Sequence, residues 1–295
     1  TSPEALALTP GVFVQKTNHG GGSPFIRGLT GNQTLLLLDG IRISNSTMRY
    51  GPNQYFNTID PFSTGKIEVL RGSGSVQYGS DAIGGTVQAF SHETGFTGEA
   101  DWGGGVLGRI ATHGMEQTLH SFLSFSNKTV SARAGVSFRK FGDIVGGDTT
   151  GRQSPSGYDE SDHYFKTSFL LTPQTSLTVL YQNVKQTDIP VYHKVVLENY
   201  MINETDPQKR KLAYARLNTS LNAGILKSGI ITASYQQTRE GRSTRKNGSD
   251  ILRREYDKVR TFGLSAEALV SNGDIWSGNL GIEFYSDLVN STRTD

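Results

Sequence analysis

SPFIRGLTGNQTLLLLDGIRISNSTMRYGPNQYFNTIDPFSTGKIEVLRGSGSVQYGSDAIGGTVQAF, residues 23–90, decides the fold of this 295-residue chain. Three apolar runs of strand length, Leu35–Leu38, Ile67–Leu70 and Thr86–Phe90, each adjoin a glycine-bearing turn: Asp39-Gly40, Arg71-Gly72 and Gly84-Gly85. Glycine tolerates positive φ and lets backbones approach closely, so each run is predicted to be a strand ended by a tight turn.

Residues beyond 95 carry a different signal. Val130, Ala132, Ala134, Val136 and Phe138 share one face of an extended segment, and Ser131, Arg133, Gly135, Ser137 and Arg139 share the other. The same alternation recurs around 213–222, 261–270 and 276–287, the period of a strand with two unlike faces. A soluble antiparallel sheet with one wet face alternates in this way too. Two features favour a transmembrane barrel. Connections alternate between short (Asn127-Lys128, Thr172–Gln174) and long (Asp143–Glu160, Ile189–Gln208), and aromatic residues such as Trp102, Phe141, Tyr164, Phe165, Tyr181, Trp276 and Tyr285 lie near strand ends. About nine strands are predicted, near 97–109, 116–126, 130–142, 161–172, 175–188, 209–222, 229–241, 252–270 and 275–288.

The elements Ile26-Arg27-Gly28, Leu38-Asp39-Gly40, Glu68-Val69-Leu70-Arg71-Gly72 and Tyr78-Gly79-Ser80-Asp81-Ala82-Ile83-Gly84-Gly85, in that order, resemble the plug domain of TonB-dependent outer-membrane receptors over roughly residues 1–90. The resemblance implies a mainly β chain. Residues 1–92 would be a mixed α/β plug, N-terminally truncated, and 93–295 the first part of a transmembrane antiparallel β-barrel, C-terminally truncated. Plugged transporters close at about 22 strands and bacterial barrels have even counts, so about nine strands form an incomplete barrel.

Composition is compatible with this architecture. A mean hydropathy of -0.39 looks soluble, but barrels turn only alternate residues to lipid. The net charge of +2 gives no reason to expect a nucleic-acid partner. The chain has no cysteine, which excludes disulfides, thiolate zinc sites and a thiol nucleophile. Thr1-Ser2-Pro3-Glu4 does not open a signal peptide, so targeting and TonB-contacting segments are expected upstream. Asn203-Glu204-Thr205 matches a glycosylation sequon by coincidence on this reading. No Walker or nucleophile-elbow motif is present, and the chain is not expected to be an enzyme.

Candidate binding residues follow from loop position. Thr47–Asn57 interleaves aromatic and amide side chains in a Gly/Pro-broken loop, a surface suited to a flat or chelated ligand, with Arg49, Tyr50, Asn53, Gln54 and Tyr55 as candidates. A second apex spans Lys16–Pro24 and contains His19. Of the six histidines, His113 and His193 fall in presumed external loops, where imidazole suits haem iron. No pattern predicts a resident metal. Arg27 and Arg71 are ordinary ion-pairing arginines in isolation. By resemblance they are plug–barrel latch cations awaiting barrel glutamates, and such a buried pair is strongly weakened when one partner is lost.

The resemblance further implies active import of a scarce iron-containing nutrient, haem or a ferric siderophore, powered through TonB, with outer-membrane lipid around the barrel and no intrinsic cofactor. Residues 23–46 and 49–62 look especially like the haem and haemoglobin branch. Cobalamin or another chelate, and a non-energised binding or adhesion protein, remain open alternatives.

Overall fold

A computed structural model describes residues 1–51, 54–93, 95–273 and 275–295. The N-terminal part begins with a 3-10 turn at Ser2–Leu6 and a hairpin of β1 (Val12–Asn18) and β2 (Gly21–Ile26). Next come β3 (Thr34–Leu38), β4 (Ile41–Arg42), β5 (Thr64–Arg71), the short helix α1 (Ser75–Tyr78) and β6 (Gly85–Ser91). The three apolar runs of the opening stretch are β3, β5 and β6 of one mixed sheet, ordered β4-β3-β6-β5, with β3 and β6 parallel. β3 is buried at every position, which explains its unbroken leucines. Leu36 and Leu38 enter the main core with Ile26, Phe56, Ile59 and Val87, while Leu35 and Leu37 pack on Ala82. Asp39 and Gly40, both at positive φ, form the two-residue turn into β4, as an Asp-Gly pair does in a hairpin.

Nine long strands follow: β7 (Asp101–Ala111), β8 (Glu116–Ser126), β9 (Val130–Phe141), β12 (Tyr158–Thr172), β13 (Thr175–Thr187), β15 (Tyr200–Ala223), β16 (Leu226–Lys246), β17 (Arg253–Asn272) and β18 (Trp276–Thr294). Between them lie a small hairpin, β10 (Ile144–Val145) with β11 (Arg152–Gln153), then β14 (Ile189–Pro190) and helix α2 (Tyr192–Leu197). The long strands pair antiparallel in chain order, with β7 and β18 at the two edges of the sheet. Several strands outrun their sequence-based bounds at the long-loop end. Residues 200–208, expected to be loop, are strand, and β16 and β18 continue to Lys246 and Thr294. Both faces are polar there, so no alternation announces the extension.

Burial separates a membrane wall from a soluble sheet, because here the polar face is inside. On β9, Ser137 and Arg139 are 0% and 4% exposed, whereas Phe138 is 59% exposed. On β17 and β18, Leu264 and Ile282 are 54% and 72% exposed. A soluble sheet would bury these side chains and expose their neighbours; a wall between lipid and plug does the reverse. The rings of Trp102 and Phe125 meet at a tilt, centroids 4.7 Å apart, near the short turns, with Trp276 at the same end. Phe165, Tyr181, Tyr235 and Phe262 share a row toward the long loops. From Trp276 to Ser286, which pairs with Phe262, about ten residues at ~3.4 Å and ~40° tilt span ~26 Å, the height of a barrel's apolar band.

The wall's inner face holds the N-terminal part. Leu180, Leu212 and Tyr214 from β13 and β15 complete its core. Polar contacts run across several strands: Ser137 donates to Asp60 (3.2 Å), Lys166 to Ser91 (2.9 Å), Gln182 to Ser63 (2.6 Å) and Tyr214 to Asp39 (3.0 Å).

Candidate functional site

The two predicted apices meet. The β1–β2 tip and the loop around Arg49 and Gln54 line one cavity of about 470 Å³. Its outer wall comes from the long-loop end of the barrel: Ile189, His193 and Lys194, then Glu204 on β15, Arg242 on β16 and Glu255 on β17.

Tight apposition closes the cavity on one side. Asn18 donates its side-chain amide to the Pro190 carbonyl. Gly20 faces Ile189 so closely that a Cβ would sit 2.6 Å from Ile189 Cγ2, so only glycine fits without displacement. On the other side Arg49 donates to Gln54 Oε1 (2.8 Å) and pairs with Glu240 at 3.0 Å. Its guanidinium lies over the Tyr55 ring, 5.9 Å from the centroid. Gln54 also donates to Gln208 of β15 at 3.2 Å. Tyr55 is buried beneath Arg49, and burial, reinforced by Glu240, pushes its hydroxyl up to about 12, so it stays protonated. Arg242 is tied to Asp257 (3.2 Å), Glu240 (3.4 Å) and Glu255 (3.6 Å). The lining thus offers the cations Arg49, Lys194 and Arg242, the carboxylates Glu204 and Glu255, and one imidazole, His193.

The other candidates fall elsewhere. His19 does not line the cavity; its ring packs at a tilt on Phe141 of the wall, centroids 5.4 Å apart, and its Nε2 is buried without a partner. Tyr50 is 84% exposed and outside the lining. Asn53 lies outside the described residues. His113 sits at φ +57° in the β7–β8 turn, where its carbonyl accepts from Arg152 (3.4 Å), and it is not part of this cavity. Arg27 and Arg71 are exposed at the edge of the N-terminal part; Arg71 donates to the Pro10 carbonyl (2.9 Å). Among the described residues neither pairs with a barrel carboxylate. Arg42 does, reaching Glu283 at 3.4 Å. The wall also reaches inward: Arg210, 1% exposed, donates to the Thr58 carbonyl (2.7 Å) and to Gln182 (2.6 Å).

Glu204 and Arg242 escaped the sequence reading because they belong to strand extensions without apolar alternation, and Glu255 because its predicted strand gave no sign of which neighbours it meets. Their signal was proximity to the long connections, which names a region but no register. A larger recess, about 900 Å³, is lined in part by Ile110, Leu119 and Phe138, whose side chains belong to the exposed apolar face, and it opens on the lipid side of the wall.

Residues 1–86 match the family described as TonB-dependent Receptor Plug Domain. The vitamin B12 transporter BtuB of Vibrio vulnificus (strain CMCP6) is 36% identical over 90 residues, which is 30% of this chain and 14% of that protein. The copper transporter OprC superposes with a TM-score of 0.83 at 16% identity, covering 100% of this chain and 45% of its own. A double mutant of the Serratia marcescens hemophore receptor HasR, in complex with its hemophore HasA and heme, gives 0.78 at 17% identity, covering 100% and 43%. At such identities the solved structures speak for the fold. Residues 1–86 are thus matched as a TonB-dependent receptor plug domain, and the whole chain has the fold of a plug followed by barrel strands. It spans less than half the length of these two solved relatives, and its match to BtuB covers a smaller share still.

Proposed function

We propose that the chain is part of a receptor that captures a scarce iron-containing nutrient, haem or a ferric siderophore, between its plug tips and external strand ends. The convergence of both plug apices with α2, β15, β16 and β17 on one polar cavity carries this reading. Arg49, Lys194 and Arg242 would hold the anionic groups of such a ligand, Gln54 would donate hydrogen bonds, and His193 is the imidazole within reach of haem iron. Ligand contact at Arg49 pulls on its bond to Gln54 and its pair with Glu240, and so on the plug's hold on the wall. TonB supplies the energy that moves the plug. Transport of this kind makes and breaks no covalent bond. Arg27 and Arg71 are kept as latch cations that meet carboxylates elsewhere in the full receptor. Their support is proximity: a Cβ on Gly72 would lie 3.5 Å from Arg27 Nη1, which puts the two motifs at one exposed edge.

A second reading, cobalamin, is favoured by the BtuB identity across the plug. The test is titration of the purified full-length receptor with haem, a panel of ferric siderophores and cobalamin, followed by absorbance and calorimetry. Saturable haem binding whose spectrum changes in His193→Ala supports the haem reading. Tight binding of one siderophore that weakens in Arg49→Ala supports the siderophore reading. Binding of cobalamin alone overturns both.

A further inference from the structure

The outward face of the wall carries an unpaired charge pattern. Lys185 on β13, Lys209 on β15, Arg239 on β16 and Lys258 on β17 are direct cross-strand partners, forming one row over four adjacent strands. Two residues nearer the membrane centre, the next row runs Asn183, Lys211, Gln237, Arg260. These six cations alternate with Val184, Gln186, Gln208, Arg210, Glu240 and Val259, all buried on the plug side, so the cations point outward.

Like charges directly opposite one another destabilise a sheet. Among the described residues no ion pair offsets them. Glu240, Glu255 and Asp257 of the same strands are engaged by Arg49 and Arg242 on the inner side. Asp159 and Asp206, the carboxylates closest in register, form no ion pair with any of the six among the described residues, and Arg239 Nε is buried without a partner.

The level of the patch on the wall identifies what covers it. The row immediately beneath holds Phe165, Tyr181, Tyr235 and Phe262, with the Tyr235 and Phe262 rings 5.1 Å apart. Aromatic rows of this kind mark the boundary between hydrocarbon and headgroups. The cation rows begin ~7 Å further along the strands, at the depth of headgroups, on the side of the long loops. Four strands cover about 14 Å, wide enough for more than one phosphate. Lysine and arginine in such a cluster match phosphate oxygens by charge-assisted hydrogen bonds.

We propose that Lys185, Lys209, Lys211, Arg239, Lys258 and Arg260 form a binding site for a multiply phosphorylated lipid headgroup of the outer leaflet. The anion converts a repulsive row into a bridged one and fastens the wall between β13 and β17 to the membrane. This inference rests on the barrel architecture and is independent of the transported ligand.

The experiment titrates the full-length receptor, in a neutral detergent, with bis-phosphorylated lipid A or its dephosphorylated form, followed by native mass spectrometry. The phosphorylated form is expected to bind on the order of a hundredfold more tightly. Combining Lys209→Gln, Arg239→Gln and Lys258→Gln should remove most of that preference. Lys209→Arg with Lys258→Arg should keep it, as should Lys227→Gln at the opposite end of the wall. In lipid-free detergent the triple variant, relieved of repulsion, should unfold at the same or a higher temperature. Equal binding of the two lipid forms by the native receptor overturns the proposal, whether or not the triple variant folds. So does an unchanged preference in a folded triple variant. Competition by inorganic phosphate at matching concentration replaces the lipid with free phosphate as the occupant.

Discussion

His19 shows how a residue chosen for one role is fitted for another. It occupies the turn between β1 and β2, its ring against Phe141, and burial, reinforced by the Lys16 charge, pushes its pKa down to about 4. It is therefore neutral where an exposed histidine, near 6.5, would be partly charged. The docked tip binds fewer protons than the released tip between those two values. Docking is thus at full strength above about pH 6.5, weakens as pH falls toward 4, and is flat below. Amide exchange of residues 18–21 in the full receptor, corrected for intrinsic rates, should accelerate over that window. His19→Phe, which keeps the ring contact and removes the titration, should abolish the slope. A slope that persists in the variant assigns the pH response to another group. The signal in the sequence was a histidine among glycines; its ring contact with Phe141, far away in the chain, could not be read there.

At the scale of elements, alternation was readable where it had physical cause. Within the apolar band each strand divides lipid from plug, so Val130–Phe138 and Phe262–Val270 declare their faces, and the predicted strands lie close to the observed ones. Above the band both faces are wet, and Tyr200–Gln208 and Arg242–Lys246 look like loop although they pair as strands. Periodicity also assigns faces without assigning neighbours, which is why the contact of Arg49 with Glu240 was invisible. The membrane assignment has its own test at Leu264, which points outward within the band, in register with Ala233 and Phe284. In a bilayer, Leu264→Arg should destabilise the folded receptor by about 2–4 kcal/mol, measured by urea titration in lipid vesicles, and Leu264→Ala by clearly less. A soluble sheet with an exposed leucine would shift by no more than about 0.5 kcal/mol either way. Neutrality of the arginine variant would therefore return this face to water.

For the molecule as a whole, the question is what holds the plug against the wall. The sequence pointed to plug arginines reaching barrel glutamates. In the described structure Arg42 with Glu283 and Arg49 with Glu240 have that polarity, both at partly exposed sites where ion pairs contribute little. The deepest bond runs the other way, from the barrel's Arg210 to the plug's Thr58 carbonyl, reinforced by Thr58 Oγ1 at 3.2 Å and Gln182. Among the described residues Arg210 forms no ion pair, so the clamp is a cation held by neutral oxygens. Such a bond is strong while water is excluded and is readily exchanged for water once the plug shifts. Neighbouring contacts share this neutral character: Gln186 donates to the Asn57 carbonyl at 3.0 Å and Gln182 to Ser63. Arg210→Met keeps most of the side-chain volume and leaves the Thr58 carbonyl unsatisfied, at a cost of about 1–3 kcal/mol borne by the plug rather than the barrel. In the full receptor, amide exchange across Tyr55–Asp60 should rise on the order of 10- to 100-fold while β16 and β17 stay protected. A uniform rise through plug and wall would make Arg210 a support of the whole fold, and no rise at all would remove it from the plug's attachment.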